Sequence, residues 1–528
     1  MVVRYEVSDL SSKISGPSSP SLTRRVFNAA LALADTKGKV HPYLAESLPK
    51  LNTDSWRVFP DGRMETTYKL RPNLTWHDGA PLTADDFAFA YRAYSAKDLA
   101  LFLPTPQDKI REIVAVDAVT VLIRWDSLYP DAGALLDQDL DPLPRHILEG
   151  PLETFERDYA TREAFVSHRY WTTEYVAAGP YRLVHWEPGA YLEGQAFDRH
   201  ALGRPKIDRV QVMVFGDENT VLSNLLADNV HYAARLSLRF EHGLVLRQNW
   251  GTTKGGIFLE SSPIVQAAIQ FRPEYLKTLA LMDVRVRRAL ASTIDKDDLN
   301  NGLFQGEATT GHTFISPEFG HYSTVDQAIT KYPFDARRAE QLMNEAGFSK
   351  DRGGLFADTA GQRFQPDLWV TAGPLFEKQL AIMIDTWQKS GVDAQGWVIP
   401  VAQTRDNATR MQFPGLLSHG VNTAERDAIV NITTAEVGTA ANRWSGTNRG
   451  GYANPDYDRM VDIYSTTLDR PQQIQRVTEI MKFRSDELPT IMLFFNYSVI
   501  AHTAALKGPT THAPNTTPYW NLQDWELI

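Results

Sequence analysis

Pairs of acidic side chains are the first candidates for chemistry in this chain. Three such pairs stand out: Asp85 with Asp86, Asp283 with Asp295, and Asp456 with Asp458. Two carboxyl groups placed across a glycosidic bond can hydrolyse it, one as the acid and the other as the nucleophile or base. Each pair here, however, stands where a helix cap, a turn or a solvated helix face accounts for acidic residues. The acid pairs therefore do not predict a hydrolase.

Other signatures of catalysis or cofactor binding are missing from the sequence. It contains no H-E-x-x-H, G-x-x-x-x-G-K-[ST], G-x-S-x-G or paired S-x-x-K motif. The glycine-rich segments 251–256 (GTTKGG) and 446–451 (GTNRGG) lack dinucleotide spacing and are interpreted as loops. The 13 histidines show no metal-ligand spacing, and the absence of cysteine excludes disulfides and thiolate sites. We predict neither catalysis nor a cofactor or metal.

Length, composition and charge show which kinds of protein this chain could be. A chain of 528 residues with 43% hydrophobic and 11% aromatic residues can form two or three units with sizeable cores. The formal net charge of -10 argues against nucleic acid or an anionic membrane as the partner. The longest apolar stretch, 490–500, is well short of the roughly 20 residues that a spanning helix needs. Residues 1–10 lack a basic region followed by an apolar one, so we expect no leader in this chain.

Helix and strand signals alternate along the whole chain. The alternation of residues 64–71 (METTYKLR) predicts a half-buried strand. A helix is predicted over 83–94, where Thr83 and Asp86 have capping-box spacing, and another over 335–346. The apolar run at 490–500 predicts a strand buried on both faces. Together these patterns indicate an α/β chain with mixed sheets.

Several segments, in order, resemble one known family. They are HPYLAESLP (41–49), DGRMETTYKLRPNLTWHDGAPLTADDFAFAYRAY (61–94), AAGPYRLVHWEPG (177–189), LMDVRVRRALASTIDKDDL (281–299) and GGYANPDYDRMVDIY (450–464). This series is similar to the family 5 extracellular solute-binding proteins of ABC importers, which include oligopeptide-, dipeptide- and nickel-binding proteins. The resemblance extends from about residue 40 to 528.

The resemblance implies a bilobal periplasmic-binding-protein-like fold of the large type. Lobe one would comprise 1–265 plus 490–528, with an extra subdomain at about 41–170, and lobe two would comprise 266–489. The chain would cross between the lobes twice, near 260–271 and 491–501.

The same resemblance implies the function. The protein would be a monomeric, noncatalytic and extracytoplasmic component, periplasmic or at the cell surface. It would close around a peptide or peptide-like solute in the cleft and deliver it to a membrane permease. An oligosaccharide, opine-like or metal-chelate cargo is the alternative, and a sensor domain would use the same binding physics.

Solute contacts are implied chiefly for a lobe-two loop at 415–430 (GLLSHGVNTAERDAIV). Peptide-binding members use an aspartate in this loop to pair with the peptide's α-ammonium. Here that position falls on Gly420, Val421 or Asn422, and the nearest acid is Asp427. The full set of candidates adds tryptophans for stacking, an arginine for a carboxylate, two residues chosen by loop position, and backbone groups of lobe one: Trp397, Trp444, Arg443, His419, Asn422, Ala178, Gly179 and residues 18–21.

Overall fold

The computed structural model describes residues 1–11, 21–96, 99, 106–137, 139–511, 516 and 519–528. These residues form two compact units. Unit 1 comprises Met1–Glu260, Ser465–Asp469 and Ser498–Ile528, and unit 2 comprises Ser261–Tyr464 and Arg470–Tyr497. Within the described ranges no helix combines the length and apolar character needed to cross a membrane.

Unit 1 contains most of the short strands and six helices among its described residues. In chain order these elements are β1 (Val2–Val3), α1 (Ser21–Phe27), β2 (Ala32–Ala34), β3 (Val40–Pro42), β4 (Ala45–Ser47), β5 (Trp56–Val58), β6 (Met64–Leu70), α2 (Ala84–Ser95), β7 (Ile110–Asp117), β8 (Thr120–Trp125), α3 (Arg145–Arg157), α4 (Arg162–Val166), β9 (Tyr181–Glu187), β10 (Tyr191–Ala196), β11 (Arg209–Val214), α5 (Glu218–Leu226), β12 (Tyr232–Leu238), α6 (Phe240–Trp250) and β13 (Gly255–Ile269), whose last part lies in unit 2.

Unit 2 is richer in helix. Its elements are α7 (Val284–Ser292), α8 (Lys296–Phe304), α9 (Tyr322–Ala328), α10 (Ala336–Glu345), β14 (Ser349–Lys350), β15 (Phe356–Ala357), β16 (Asp367–Thr371), α11 (Pro374–Ser390), β17 (Gln395–Ile399), β18 (Leu416–Val421), α12 (Glu425–Val430), α13 (Pro455–Thr466), α14 (Arg470–Glu487) and β19 (Thr490–Thr503). The last part of β19 returns the chain to unit 1, where β20 (Leu506–Lys507) pairs with β21 (Glu526–Leu527).

Two sheets organise unit 1. One has the order β4-β6-β8-β7, with β5 also paired to β6, and its β6–β8 pairing is antiparallel from Met64↔Trp125 to Lys69↔Thr120. The buried face of β6 carries Met64, Thr66, Tyr68 and Leu70, which confirms the alternation predicted for this segment. The other sheet places β1 between β11 and β12, parallel to both, and continues antiparallel through β10 and β9.

In unit 2 the strands follow the order β17-β16-β18-β13. Strand β16 is parallel to β17, because α11 returns the chain between them, and it is also parallel to β18. Strand β13 is antiparallel to β18. Strand β18 therefore has a partner on each side. The predicted loop at 415–430 is therefore not a loop throughout: it consists of β18, a short connection at 422–424 and α12.

The remaining predicted elements are confirmed with small shifts of their ends. Helix α10 begins after Asp335, whose carboxylate accepts the backbone N–H groups of Arg337 and Arg338, and Gly347 follows it with φ +89°. Strand β19 is buried on both faces along nearly all its length.

Candidate functional site

The candidate site begins where β18 ends in unit 2. Residues 422–424 connect Val421 to the first turn of α12, and this connection holds Asn422 and Asp427 side by side. The Asn422 Nδ2 donates a hydrogen bond of 2.6 Å to the Asp427 Oδ2. Both side chains are exposed, so the Asp427 carboxylate is accessible to a solute.

Neighbouring protein atoms remove part of the hydration of the Asp427 carboxylate, and this raises its pKa above the usual value. The rest of the side chain is exposed to water. The hydrogen bond from Asn422 acts in the opposite direction but does not outweigh this loss of solvation. A nearby cation would recover the missing stabilisation of the charged form.

Glu425, at the start of α12, anchors this loop. Its Oε1 and Oε2 lie 2.8 and 2.9 Å from the two terminal nitrogens of Arg470. The His321 Nε2 lies 2.7 Å from Oε2, and the Tyr464 hydroxyl donates to Oε1 at 3.0 Å. Burial by itself raises the pKa of Glu425, but the contacts with His321 and Arg470 outweigh it and lower that pKa to about 2.

His419 lies inside unit 2, at 3% exposure. Its Nδ1 is 3.1 Å from the Gly420 carbonyl oxygen, and its Nε2 is 3.2 Å from the Gln266 Nε2. A neutral ring that donates through Nδ1 and accepts through Nε2 satisfies both contacts. Burial, together with neighbouring arginines, lowers the pKa of His419 well below its usual value. Because both ring nitrogens are used within the core, His419 is not part of the proposed solute contact.

The predicted tryptophans differ in their surroundings. Trp397 lies on the edge strand β17, is 38% exposed, and has its ring centroid 4.2 Å from that of its cross-strand neighbour Trp369. Trp444 is half-buried, and its ring centroid is 6.4 Å from that of Tyr275. Both can offer part of a ring to a ligand.

Arg443 is exposed and adjoins Trp444 in a turn where both residues have positive φ, +56° and +58°. Within the part of the chain that the structure describes, Asn422 and Asp427 are the two predicted site residues joined by a side-chain hydrogen bond. The two tryptophans and Arg443 share unit 2 with them.

Ala178 and Gly179 lie in unit 1, and both are buried. The Gly179 N–H donates to the Phe27 carbonyl oxygen at 2.9 Å, and the Gly179 carbonyl oxygen is 3.0 Å from the His77 Nε2. A β-carbon at Gly179 would lie 2.3 Å from the Phe27 carbonyl carbon. The Gly179 backbone groups are used within unit 1 and Ala178 is buried, so neither residue belongs to the proposed solute contact. Residues 18–20 lie outside the described residues.

The acidic pairs have structural roles that the structure makes explicit. The Asp86 carboxylate accepts the Thr83 N–H at 2.8 Å at the start of α2. Asp283 and Asp295 cap the first turns of α7 and α8, and Asp456 lies in the first turn of α13. Helix capping accounts for Asp86, Asp283 and Asp295, whereas Asp456 pairs with Arg459 on the helix surface and Asp458 accepts the Thr434 N–H at 2.9 Å.

Two groups of charged residues in unit 2 give no signal in the sequence. The Glu425 anchor joins residues up to about 150 positions apart, so no local pattern reveals it. Arg410 and Arg449 carry guanidinium groups with buried nitrogens that lack hydrogen-bond partners. Both stand singly in the sequence, and a single arginine gives no signal of its surroundings.

Comparison with known proteins identifies the class. Residues 39–433 match the family model described as "Bacterial extracellular solute-binding proteins, family 5 Middle". The oligopeptide-binding protein AppA of Bacillus subtilis is 21% identical over 524 residues, covering 96% of this chain and 90% of AppA. A putative ABC transporter peptide-binding protein of Brucella ovis is 23% identical over 300 residues, 57% of this chain and 52% of that protein.

Solved structures agree over the full chain. NikZ of Campylobacter jejuni, in complex with Ni(L-His), has a TM-score of 0.75 at 20% identity and covers 99% of this chain and 98% of its own. The structure of B. subtilis AppA with a nonapeptide has a TM-score of 0.71 at 19% identity and covers 100% of this chain and 98% of its own.

The chain belongs to the bacterial extracellular solute-binding proteins, family 5. The predicted α/β fold class, of the bilobal periplasmic-binding-protein type, is confirmed. The predicted role of a solute-binding component of an ABC importer is confirmed at the level of the family.

Proposed function

We propose that this protein captures a peptide or peptide-like solute outside the cytoplasm and delivers it to the membrane permease of an ABC importer. The observation that carries the proposal is the Asp427 carboxylate. It is exposed, it lies in the first turn of α12 just beyond β18, and it accepts a hydrogen bond from Asn422. The α-ammonium of a peptide would give this partly desolvated carboxylate a charge-assisted hydrogen bond.

The similarity to AppA supports a peptide cargo. AppA, an oligopeptide-binding protein, matches nearly the whole chain, and its solved structure holds a nonapeptide. In our proposal Asn422 orients the Asp427 carboxylate, while Trp444 offers a ring face and Arg443 a guanidinium to the rest of the solute. The half-exposed Trp397 is a further stacking surface in unit 2.

We further propose that the protein is not an enzyme. It binds without catalysis, since the paired acids make helix caps and surface contacts, and it acts as a monomer. Its partners are the solute and the permease, not nucleic acid, in agreement with the net charge of -10. We propose a periplasmic or cell-surface location.

A metal chelate is the second candidate cargo. One observation favours it: the structural neighbour NikZ holds Ni(L-His). Such a complex presents carboxylate and imidazole groups, which Arg443 and the tryptophans could contact as they would a peptide.

Calorimetric titration separates these possibilities. Purified protein is titrated with a pool of short peptides, with the same pool acetylated at its amino termini, and with Ni²⁺ plus L-histidine. We expect binding of the free-amine pool and weaker binding of the acetylated pool. Mass spectrometry of the peptides recovered after denaturation should show them unchanged. Equal binding of both pools, or cleaved peptides, would contradict the proposal.

A further inference from the structure

A cavity within unit 2 lies outside the candidate solute site. The space that protein atoms leave empty there is about 440 Å³, including the solvent at its mouth. Its walls are formed by α7, α8, α14 and the start of β19, together with residues 312–314, 330 and 332. Neither Asn422 nor Asp427 lines it. The cavity can therefore hold a ligand that is different from the transported solute.

Much of the cavity wall is apolar. Six apolar side chains contribute to it: Ala291, Phe314, Met481, Leu488, Ile491 and Met492. Polar groups of the wall have partners within the protein. The Tyr332 hydroxyl donates to the Ser485 carbonyl oxygen at 3.0 Å, and the Thr490 Oγ1 accepts from the Arg484 Nη2 at 2.8 Å. The cavity therefore favours a ligand whose body is small and uncharged.

Lys296, the first residue of α8, brings an amine to this cavity. Its Nζ lies 2.8 Å from the Gly311 carbonyl oxygen and 3.4 Å from the His312 Nδ1. A charged ammonium has three N–H groups, whereas a neutral amine has two and a lone pair. The two acceptors present among the described residues therefore satisfy the neutral amine and leave its lone pair unused.

The electrostatics of the cavity also favour the neutral amine. Burial lowers the pKa of Lys296 to about 7, and the nearby Asp326 charge does not offset this effect. Burial, followed by the charge of Lys296, lowers the pKa of His312 to about 4, so the imidazole is neutral at pH 7 and can accept through Nδ1. Near pH 7 about half of the Lys296 amines are neutral. The side chain is half-buried, which leaves it within reach of small molecules in solution.

We propose that Lys296 and this cavity bind a small aldehyde or ketone as a reversible imine. The Nζ lone pair attacks the carbonyl carbon and forms a nitrogen–carbon bond. The carbonyl oxygen then leaves as water with both protons of the amine, and the C=N double bond remains. No oxidant or reductant is needed, and water reverses the reaction. A lysine desolvated in an apolar pocket is suited to this chemistry, and the apolar wall would hold the rest of the ligand.

Propanal is the probe for the first test, with cyanoborohydride present to trap the imine as a stable secondary amine. The intact protein reacts briefly at pH 7, and mass spectrometry after digestion measures alkylation at each lysine. Lys389, an exposed lysine of α11 whose pKa is raised by Asp385, is the internal control. Lys296 should react at least about tenfold faster, because far more of its amine is neutral. An equal or slower reaction at Lys296 would overturn the proposal.

The pH dependence of the two rates is the second readout. The neutral fraction of Lys296 is nearly complete above about pH 8, whereas that of Lys389 continues to rise, so the ratio of the two rates should fall between about pH 7 and 9. The titratable and charged groups around the amine are Asp297, His312, Asp326, Lys331, Tyr332 and Arg484. His312 stays neutral across this range. A constant ratio would contradict the proposal.

Variants that fill the cavity test whether the ligand occupies it. Ala291→Leu and Met492→Phe each add bulk to the wall, and the thermal midpoint shows which of them remains folded. In a folded variant the reaction at Lys296 should slow at least about tenfold while that at Lys389 is unchanged. Lys296→Arg should remove one fast-reacting equivalent from the intact mass. Unchanged reaction at Lys296 in a folded filled variant would overturn the role of the cavity.

Discussion

Replacing Glu425 by glutamine removes the charge from the anchor of the candidate loop while keeping the shape of the side chain. The carboxylate is 6% exposed and contacts Arg470, His321 and Tyr464. Its pKa is lowered from 4.5 to about 2. Since one pKa unit corresponds to about 1.4 kcal/mol, the ionised form contributes about 3 kcal/mol to the free energy of unfolding at neutral pH.

The pH dependence follows from the direction of the pKa shift. A carboxylate whose folded pKa is depressed stabilises the folded state fully above its unfolded pKa of 4.5. This contribution is lost as the pH falls from about 4.5 towards 2, and it is about 1 kcal/mol at about pH 3. Glu425→Gln should therefore lose about 3 kcal/mol near pH 7 and clearly less near pH 3.

Guanidinium denaturation followed by circular dichroism and tryptophan fluorescence measures this loss. The two probes are compared because the two units can unfold in separate transitions. Glu274→Gln, which neutralises an exposed glutamate of unit 2, is the matched control and should change stability by less than about 0.5 kcal/mol. A loss below about 1 kcal/mol for Glu425→Gln near pH 7, or an equal loss at both pH values, would refute the reasoning.

Two further predictions concern the solute contact and the packing of unit 1. Asp427→Asn should weaken binding of a free-amine peptide by roughly 1.5–3 kcal/mol, since it removes a charge-assisted hydrogen bond, and should leave the N-acetylated peptide unaffected. Calorimetry measures both, and unchanged affinity for the free-amine peptide would reject the role of Asp427. Gly179→Ala should destabilise the protein by about 1–3 kcal/mol or more, because its β-carbon would lie 2.3 Å from the Phe27 carbonyl carbon. Gly150→Ala, in a helix with no atom within 4 Å of the added methyl group, should be neutral or stabilising, and equal effects of the two changes in denaturation would contradict this account.

The elements that sequence analysis predicted well are those with local signals. The alternation of 64–70 needs only the two-residue period of a strand, and the cap of α10 needs only Asp335 and its next three residues. The run of apolar residues after Pro489 likewise predicts the doubly buried strand at 490–500, which extends to Thr503 in the structure.

The candidate site depends on contacts that local patterns do not encode. His419 sits on β18, and its burial follows from strand neighbours that come from distant parts of the chain, β13 and β16. The Glu425 anchor joins His321, Tyr464 and Arg470 across three helices, so its residues look like ordinary surface polar groups in the sequence.

The central claim is that this family 5 protein carries a peptide-like solute, and the most direct test is to identify what the purified protein holds. Mass spectrometry of small molecules released on denaturation gives that identity. We predict short, uncleaved peptides. Recovery of sugars, opine-like conjugates or a metal chelate, with no peptide, would contradict the proposed cargo.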